Sequence, residues 1–161
     1  MKSTAYQYAL YLLSAQDYSE FKLRQKLRLK QFEPAEIDET LAKLIEKNYL
    51  REEEYKRMLA KRWISKGYSD AMIKRRGEQE SLTFSLEELK EWRIDSGAHS
   101  SDVISKLVQK KIRGQEIPTD RIAKQKLREK VSRFLLSKGH SFYEIRKAVD
   151  QVFKASTEEH Y

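Results

Sequence analysis

The sequence predicts an all-α protein: three tandem three-helix repeats forming an elongated, curved molecule. Apolar residues recur at helical spacing along most of the chain, strand signals are nearly absent, and three helix starts can be laid over one another. The repeats are drawn at residues 1–50, 51–98 and 99–155, with 156–161 expected to be a disordered tail.

In the first repeat, Ile37, Leu41, Leu44 and Ile45 fall at i, i+4, i+7 and i+8, which puts them on one helical face. The run from Leu27 to Phe32 alternates like an edge strand, but Leu23 and Leu27 at i and i+4 favour a helix leading into it. Tyr55, Met58, Leu59 and Trp63 make the corresponding stripe in the second repeat. Val103, Ile104, Leu107 and Val108, then Ile145, Val149, Val152 and Phe153, do so in the third. Breaks are expected at Asp95-Ser96-Gly97-Ala98 and from Gly114 to Thr119, where turn-forming residues interrupt the pattern.

The repetition is clearest at Phe32-Glu33-Pro34-Ala35-Glu36-Ile37, Phe84-Ser85-Leu86-Glu87-Glu88-Leu89 and His140-Ser141-Phe142-Tyr143-Glu144-Ile145. Each has a ring, a cap-compatible residue, a glutamate three beyond the cap and an aliphatic residue facing the ring: a capping box with a hydrophobic staple, or a near variant of it. Glu33 is a weaker cap than serine, although Pro34 occupies the favoured first helical position. Upstream, Ser19-Glu20 and Ser69-Asp70 each pair a serine cap with an acid in the first turn.

Composition narrows the function. Lysine and arginine number 33 against 25 acidic residues, a formal charge of +8 that favours polyanionic partners. Cysteine is absent, which excludes disulfides and thiolate chemistry. The five glycines are scattered singly, so no phosphate-binding loop is expected. His99, His140 and His160 have no partner at catalytic or metal spacing, and Glu52-Glu53-Glu54 reads as acids answering a helix dipole. The expectation is a protein that is not an enzyme and has neither cofactor nor metal. No apolar run approaches the roughly 20 residues that span a bilayer, and Met1-Lys2-Ser3-Thr4 lacks the apolar core of a signal peptide, so a cytoplasmic protein without membrane contact is expected; no unit shows an evident extra apolar face, so a monomer is expected.

The cations recur in clusters: Lys22, Arg24, Lys26, Arg28 and Lys30 in the first repeat, Lys61, Arg62, Lys66, Lys74, Arg75 and Arg76 in the second, Lys110, Lys111 and Arg113 in the third. Along one surface they would suit a phosphate backbone or an acidic protein groove; scattered, they are a solvated face. Tyr49, Trp63 and Tyr68 could stack on bases, but core positions are the commoner use of such rings.

Tyr8-Ala9-Leu10 with Leu12-Leu13, Leu23-Arg24 with Lys26-Leu27, Ile37 with Leu44, and Asn48-Tyr49-Leu50 together resemble the N-terminal unit of the RecX family. Glu53-Glu54-Tyr55 followed by Lys66-Gly67-Tyr68-Ser69 and Ile73 is similar to the family's middle unit, and Phe134-Leu135 with Lys138-Gly139-His140-Ser141-Phe142 and Ile145 to its closing one. Gln31 stands where that family usually has glycine, Arg51 where an acid is usual and His140 where an aromatic is usual, while Gly77 should leave its helix short or bent. The resemblance implies a modulator of the RecA recombinase that lies in the groove of the RecA-DNA filament. It would inhibit strand exchange, filament growth, ATP hydrolysis and coprotease activity in DNA repair and the SOS response. Direct DNA contact is a further expectation. The rival readings are a DNA- or RNA-binding protein of helix-turn-helix type and a helical adaptor whose charge serves solubility.

Overall fold

The computed structural model describes residues 3–158, and every regular element among them is a helix. In order these are α1 (Ala5–Ala15), α2 (Glu20–Leu29), α3 (Pro34–Glu46), α4 (Glu52–Ser65), α5 (Asp70–Glu78), α6 (Leu86–Asp95), α7 (Ser100–Ile112), α8 (Arg121–Ser137) and α9 (Phe142–Glu158). The Leu27–Phe32 run resolves as the end of α2 and a turn. The last helix continues past the expected limit at Ala155 to Glu158, since no glycine or proline interrupts it; residues 159–161 of the expected tail lie outside the described residues.

Packing divides the chain into two compact units, Met1–Ala60 with Arg76–Thr83 and Lys61–Arg75 with Phe84–Tyr161. The division runs through α4 and α5. Tyr55, near the start of α4, donates its hydroxyl to Glu80 at 2.8 Å within the first unit. Trp63, near the end of α4, packs edge-on to Phe84 at 6.0 Å within the second, and Phe84 meets Trp92 at 6.3 Å.

In the first unit, α1, α2 and α3 enclose Ala5, Ala9, Leu23, Leu27, Ile37, Leu41 and Leu44, with Leu50 closing the base. In the second, α7, α8 and α9 enclose Ile104, Leu107, Val108, Leu127, Val131, Leu135, Ile145, Val149 and Phe153. These are largely the faces marked by the sequence stripes; Ile45 departs from its stripe and stays half exposed.

Helix starts follow the expected caps with one exception. Ser19, Ser69, Ser85 and Ser141 each accept an amide hydrogen from the residue three positions on. Ser85 with Glu88 and Ser141 with Glu144 complete reciprocal capping boxes. Bonds from the Ser141 hydroxyl and amide hold the Glu144 carboxyl below the ordinary carboxylate range. Glu33, however, makes no side-chain cap bond, and the expected box is missing because Glu36 turns away to accept the Ala5 amide of α1 at 2.8 Å. Glu52 likewise accepts the Glu20 amide of α2 at 3.0 Å, so both helix starts are satisfied by carboxylates distant in sequence. A capping box between Thr4 and Gln7 adds to the first of them.

Helix ends share one device. At Gln31, Asn48, Gly67, Ser81, Gly97 and Gly139 the backbone enters the left-handed region. In each case the next amide donates five residues back: Phe32 to Leu27, Tyr49 to Leu44, Tyr68 to Trp63, Leu82 to Gly77, Ala98 to Arg93 and His140 to Leu135. This pattern satisfies the terminal carbonyls and turns the chain sharply. It ends α5 at Glu78, one residue beyond Gly77, so the expected short helix is found, with Leu82 buried behind the turn.

Two of these turns clasp each other inside the second unit. Lys66-Gly67-Tyr68-Ser69 and Lys138-Gly139-His140-Ser141 have nearly the same sequence. The Ser69 amide donates to the Lys138 carbonyl at 2.9 Å, and His140 Nε2 donates to the Gly67 carbonyl at 2.8 Å. A Cβ on Gly139 would lie 2.6 Å from Met72 Cβ and Ser69 Oγ, whereas one on Gly97 would meet nothing within 4 Å. Gly139→Ala is therefore expected to cost about 2–4 kcal/mol, combining left-handed strain with overpacking. Gly97→Ala should cost only about 1–2 kcal/mol. Urea unfolding of both variants checks this; equal losses would mean that Gly139 is not tightly packed. Gln31 bears left-handed strain at φ +64°, so Gln31→Gly should gain up to about 1 kcal/mol in the same measurement.

Candidate polyanion-binding surface

On α2, Leu23 and Leu27 point inward, which at 3.6 residues per turn places Arg24 and Arg28 on one flank and Lys22 and Lys26 on the other. Neighbours then separate them further. Arg24 is bonded to Asp38 on α3 and lies 3.3 Å from Glu20 one turn back. The Asp38 bond raises its already high pKa, and the guanidinium is committed to holding α2 against α3. Lys22 is half-buried, whereas Lys26 and Arg28 are exposed and have no ion partner among the described residues. Arg76, in the same unit, is half-buried.

In the second unit Lys61 lies 3.9 Å from Asp95 on α6. Arg62 on α4 and Lys66, just past its end, are exposed. Lys74 is half-buried and Arg75 exposed; successive residues on α5 point about 100° apart, so Lys74, Arg75 and Arg76 share no face. Lys110 and Arg113 are exposed at the end of α7, where positive charge also suits the helix dipole. Lys111 instead folds over the Phe134 ring at 4.7 Å. Of the cations singled out from the sequence, those left exposed and without an ion partner among the described residues are Lys26 and Arg28 in the first unit, and Arg62, Lys66, Arg75, Lys110 and Arg113 in the second.

Several contacts that fix basic side chains in the second unit are not legible in the sequence. Lys138 lies over Tyr68 at 4.3 Å and Phe134 at 5.6 Å. Arg93, only 11% exposed, donates to Asp70 at 2.7 Å and to the Tyr68 carbonyl at 2.8 Å. The available signal was the recurrence of lysine-glycine-ring-serine in both turns. Of the rings considered for base stacking, Trp63 is buried, Tyr68 is half-buried and Tyr49 is 56% exposed.

Among the described residues no group of three or more histidine or acidic side chains could hold a metal. His99 is exposed at the start of α7 and makes no cap bond. His140 is occupied by the turn clasp, and His160 lies outside the described residues. No helix among them is long and apolar enough to cross a membrane.

The model of the RecX first three-helix domain matches residues 5–44, which is α1 through most of α3. The Regulatory protein RecX of Mannheimia succiniciproducens is 29% identical over 140 residues, covering 86% of this chain and 88% of that protein. A RecX of Haemophilus influenzae is 36% identical over 74 residues, about half of each chain. The first three-helix unit is thus of the RecX kind, and along most of its length the chain is similar to RecX regulatory proteins. The crystal structure of RecX from Lactobacillus salivarius shares the fold, with a TM-score of 0.60, 18% identity, and coverage of 91% of this chain and 93% of that one.

Gln31, which the resemblance to RecX sets at a usual glycine position, sits at positive φ. At His140, which the same resemblance sets at a usual aromatic position, the imidazole is buried yet satisfied by a hydrogen bond that a phenyl ring could not make. The geometry of the chain separates committed from free cations. Lys26→Glu with Arg28→Glu should elute from heparin at lower salt while leaving the urea midpoint within about 0.5 kcal/mol of the parent. Arg24→Glu should lose about 1 kcal/mol of stability through its link to Asp38. Unchanged elution of the double variant would remove α2 from the polyanion-binding surface.

Proposed function

We propose that this RecX protein is a non-enzymatic inhibitor of the RecA recombinase, docking in the groove of the RecA-DNA filament. It would thereby restrain strand exchange, ATP hydrolysis and coprotease activity. The observation that carries this reading is the occurrence of exposed, uncommitted cations in both units of a RecX fold. A filament groove lined by acidic side chains and DNA phosphates offers complementary charge to such a chain. The three-helix repetition supports multivalent docking, in which weak contacts from successive repeats combine into useful affinity. The protein would act in the cytoplasm as a monomer, without a cofactor, and contact DNA where the filament exposes it.

The test is DNA-dependent ATP hydrolysis by the cognate RecA on single-stranded DNA, titrated with this protein, with binding to bare DNA measured at the same salt. Hydrolysis is expected to fall at concentrations that leave bare DNA unbound. Charge reversal at Lys26, Arg28, Lys66 and Arg75 together should weaken inhibition, by a larger factor at low than at moderate salt. Unaffected RecA alongside tight binding to bare DNA would overturn the proposal in favour of a plain nucleic-acid-binding protein.

A further inference from the structure

Inside the second unit, α8 and α9 form a helical hairpin with a groove of about 760 Å³ between them. Its floor is apolar: Ile145 and Val149 are core residues whose edges reach it, Leu136 is half-buried, and Phe142 lines its end while 77% exposed. The rim is cationic. Arg133 and Arg146 are exposed, the latter with 86% of its side chain open to solvent. Arg128 forms a fixed wall, held by its bond to Asp150 and by the Phe153 ring beneath it at 5.4 Å. Arg146 reaches the same aspartate only loosely, at 3.9 Å. The rim's one acid, Glu129, accepts from Gln125 at 3.1 Å.

We propose that this groove docks an acidic amphipathic helix of a protein partner, its apolar face on Phe142, Leu136 and Val149 and its carboxylates on Arg133 and Arg146. Along α8 the lining runs from Gln125 to Leu136, roughly 17 Å at 1.5 Å per residue, which matches three turns of a bound helix. An apolar stripe in such a groove is a recurrent mode of helix recognition. Guanidinium forks match carboxylates in geometry as well as charge. A nucleic-acid backbone is the poorer fit: it has no apolar face for the floor and would set phosphates beside Glu129. The inference goes beyond RecA regulation and concerns none of the cations assigned to it above.

The test uses the full chain and a fluorescein-labelled 14-residue helical peptide with leucine and phenylalanine on one face and glutamate on the other, read by anisotropy. A peptide with lysine in place of each glutamate is the control. The acidic peptide is expected to bind at least tenfold more tightly than the lysine one. Phe142→Ser, and Arg133→Glu with Arg146→Glu, should each weaken it tenfold or more, while Lys26→Glu with Arg28→Glu leaves it unchanged. All these positions are exposed, so unaltered circular dichroism is expected and would separate lost binding from lost folding. Equal affinity for both peptides, or groove variants that bind like the parent, would overturn the proposal. So would a single-stranded oligonucleotide showing the Arg133 and Arg146 dependence while the acidic peptide does not bind. No recombinase is present, so failure here leaves the RecA assay unaffected, and failure there leaves this result standing.

Discussion

The left-handed residue at the end of a helix is the constraint on which the rest of this molecule depends. With 36% charged residues the chain has little apolar surface to spend, and short helices gain most of their stability from packing. Each helix must therefore stop where its apolar stripe stops and return the chain to the same core. A backbone at positive φ does both, because it satisfies two terminal carbonyls while reversing direction within a few residues. Six helix ends use it. Glycine provides three of them without strain; Gln31, Asn48 and Ser81 reach the same geometry at an energetic cost.

The turn clasp takes the device further. When the turns at Gly67 and Gly139 stop their helices, they leave other carbonyls facing outward, and each meets a donor from the opposite turn. Glycine is required there for more than φ, since neither position has room for a methyl group. His140 joins two levels of structure: its amide completes the local turn at the end of α8, and its side chain bonds the end of α4, 73 residues away in sequence. Arg93 grips the same α4–α5 turn through Asp70 and the Tyr68 carbonyl. A polar network this buried is favourable only when complete, so the turn, the histidine and the arginine constrain one another.

Helix existence was legible in the sequence because it is a local property: Ile37, Leu41 and Leu44 lie on one face whatever surrounds them. The caps at Ser19, Ser69, Ser85 and Ser141 were legible for the same reason. Glu33 was misread because the partner that draws Glu36 away, the Ala5 amide, is distant in sequence. The division through α4 and α5 was invisible for a related reason, since nothing between Tyr55 and Trp63 marks where one set of neighbours gives way to another. Gln31 could be flagged only as standing in a glycine's place, because a polar residue's type does not reveal its φ. For the candidate surface, residue type identified the cations, but commitment depends on tertiary neighbours. Arg24 and Arg28 occupy one flank of one helix a turn apart, and only the first meets an acid.

That distinction bears on how a basic protein can be specific. A uniformly basic surface binds every polyanion with similar strength, and salt weakens all such contacts together. Here the charge has several fates. Arg24 and Arg93 hold structure, Lys111 and Lys138 lie on rings, and Arg128 forms a wall fixed by Asp150. The exposed cations that remain take their spacing from the helices that carry them. Sparse charge sacrifices affinity at each contact, and recovers it only where several contacts are met in register. A partner with a regular repeat can meet that condition and a flexible polyanion meets it poorly. On the proposed function, the committed cations would add to selectivity by being withheld from indiscriminate contact.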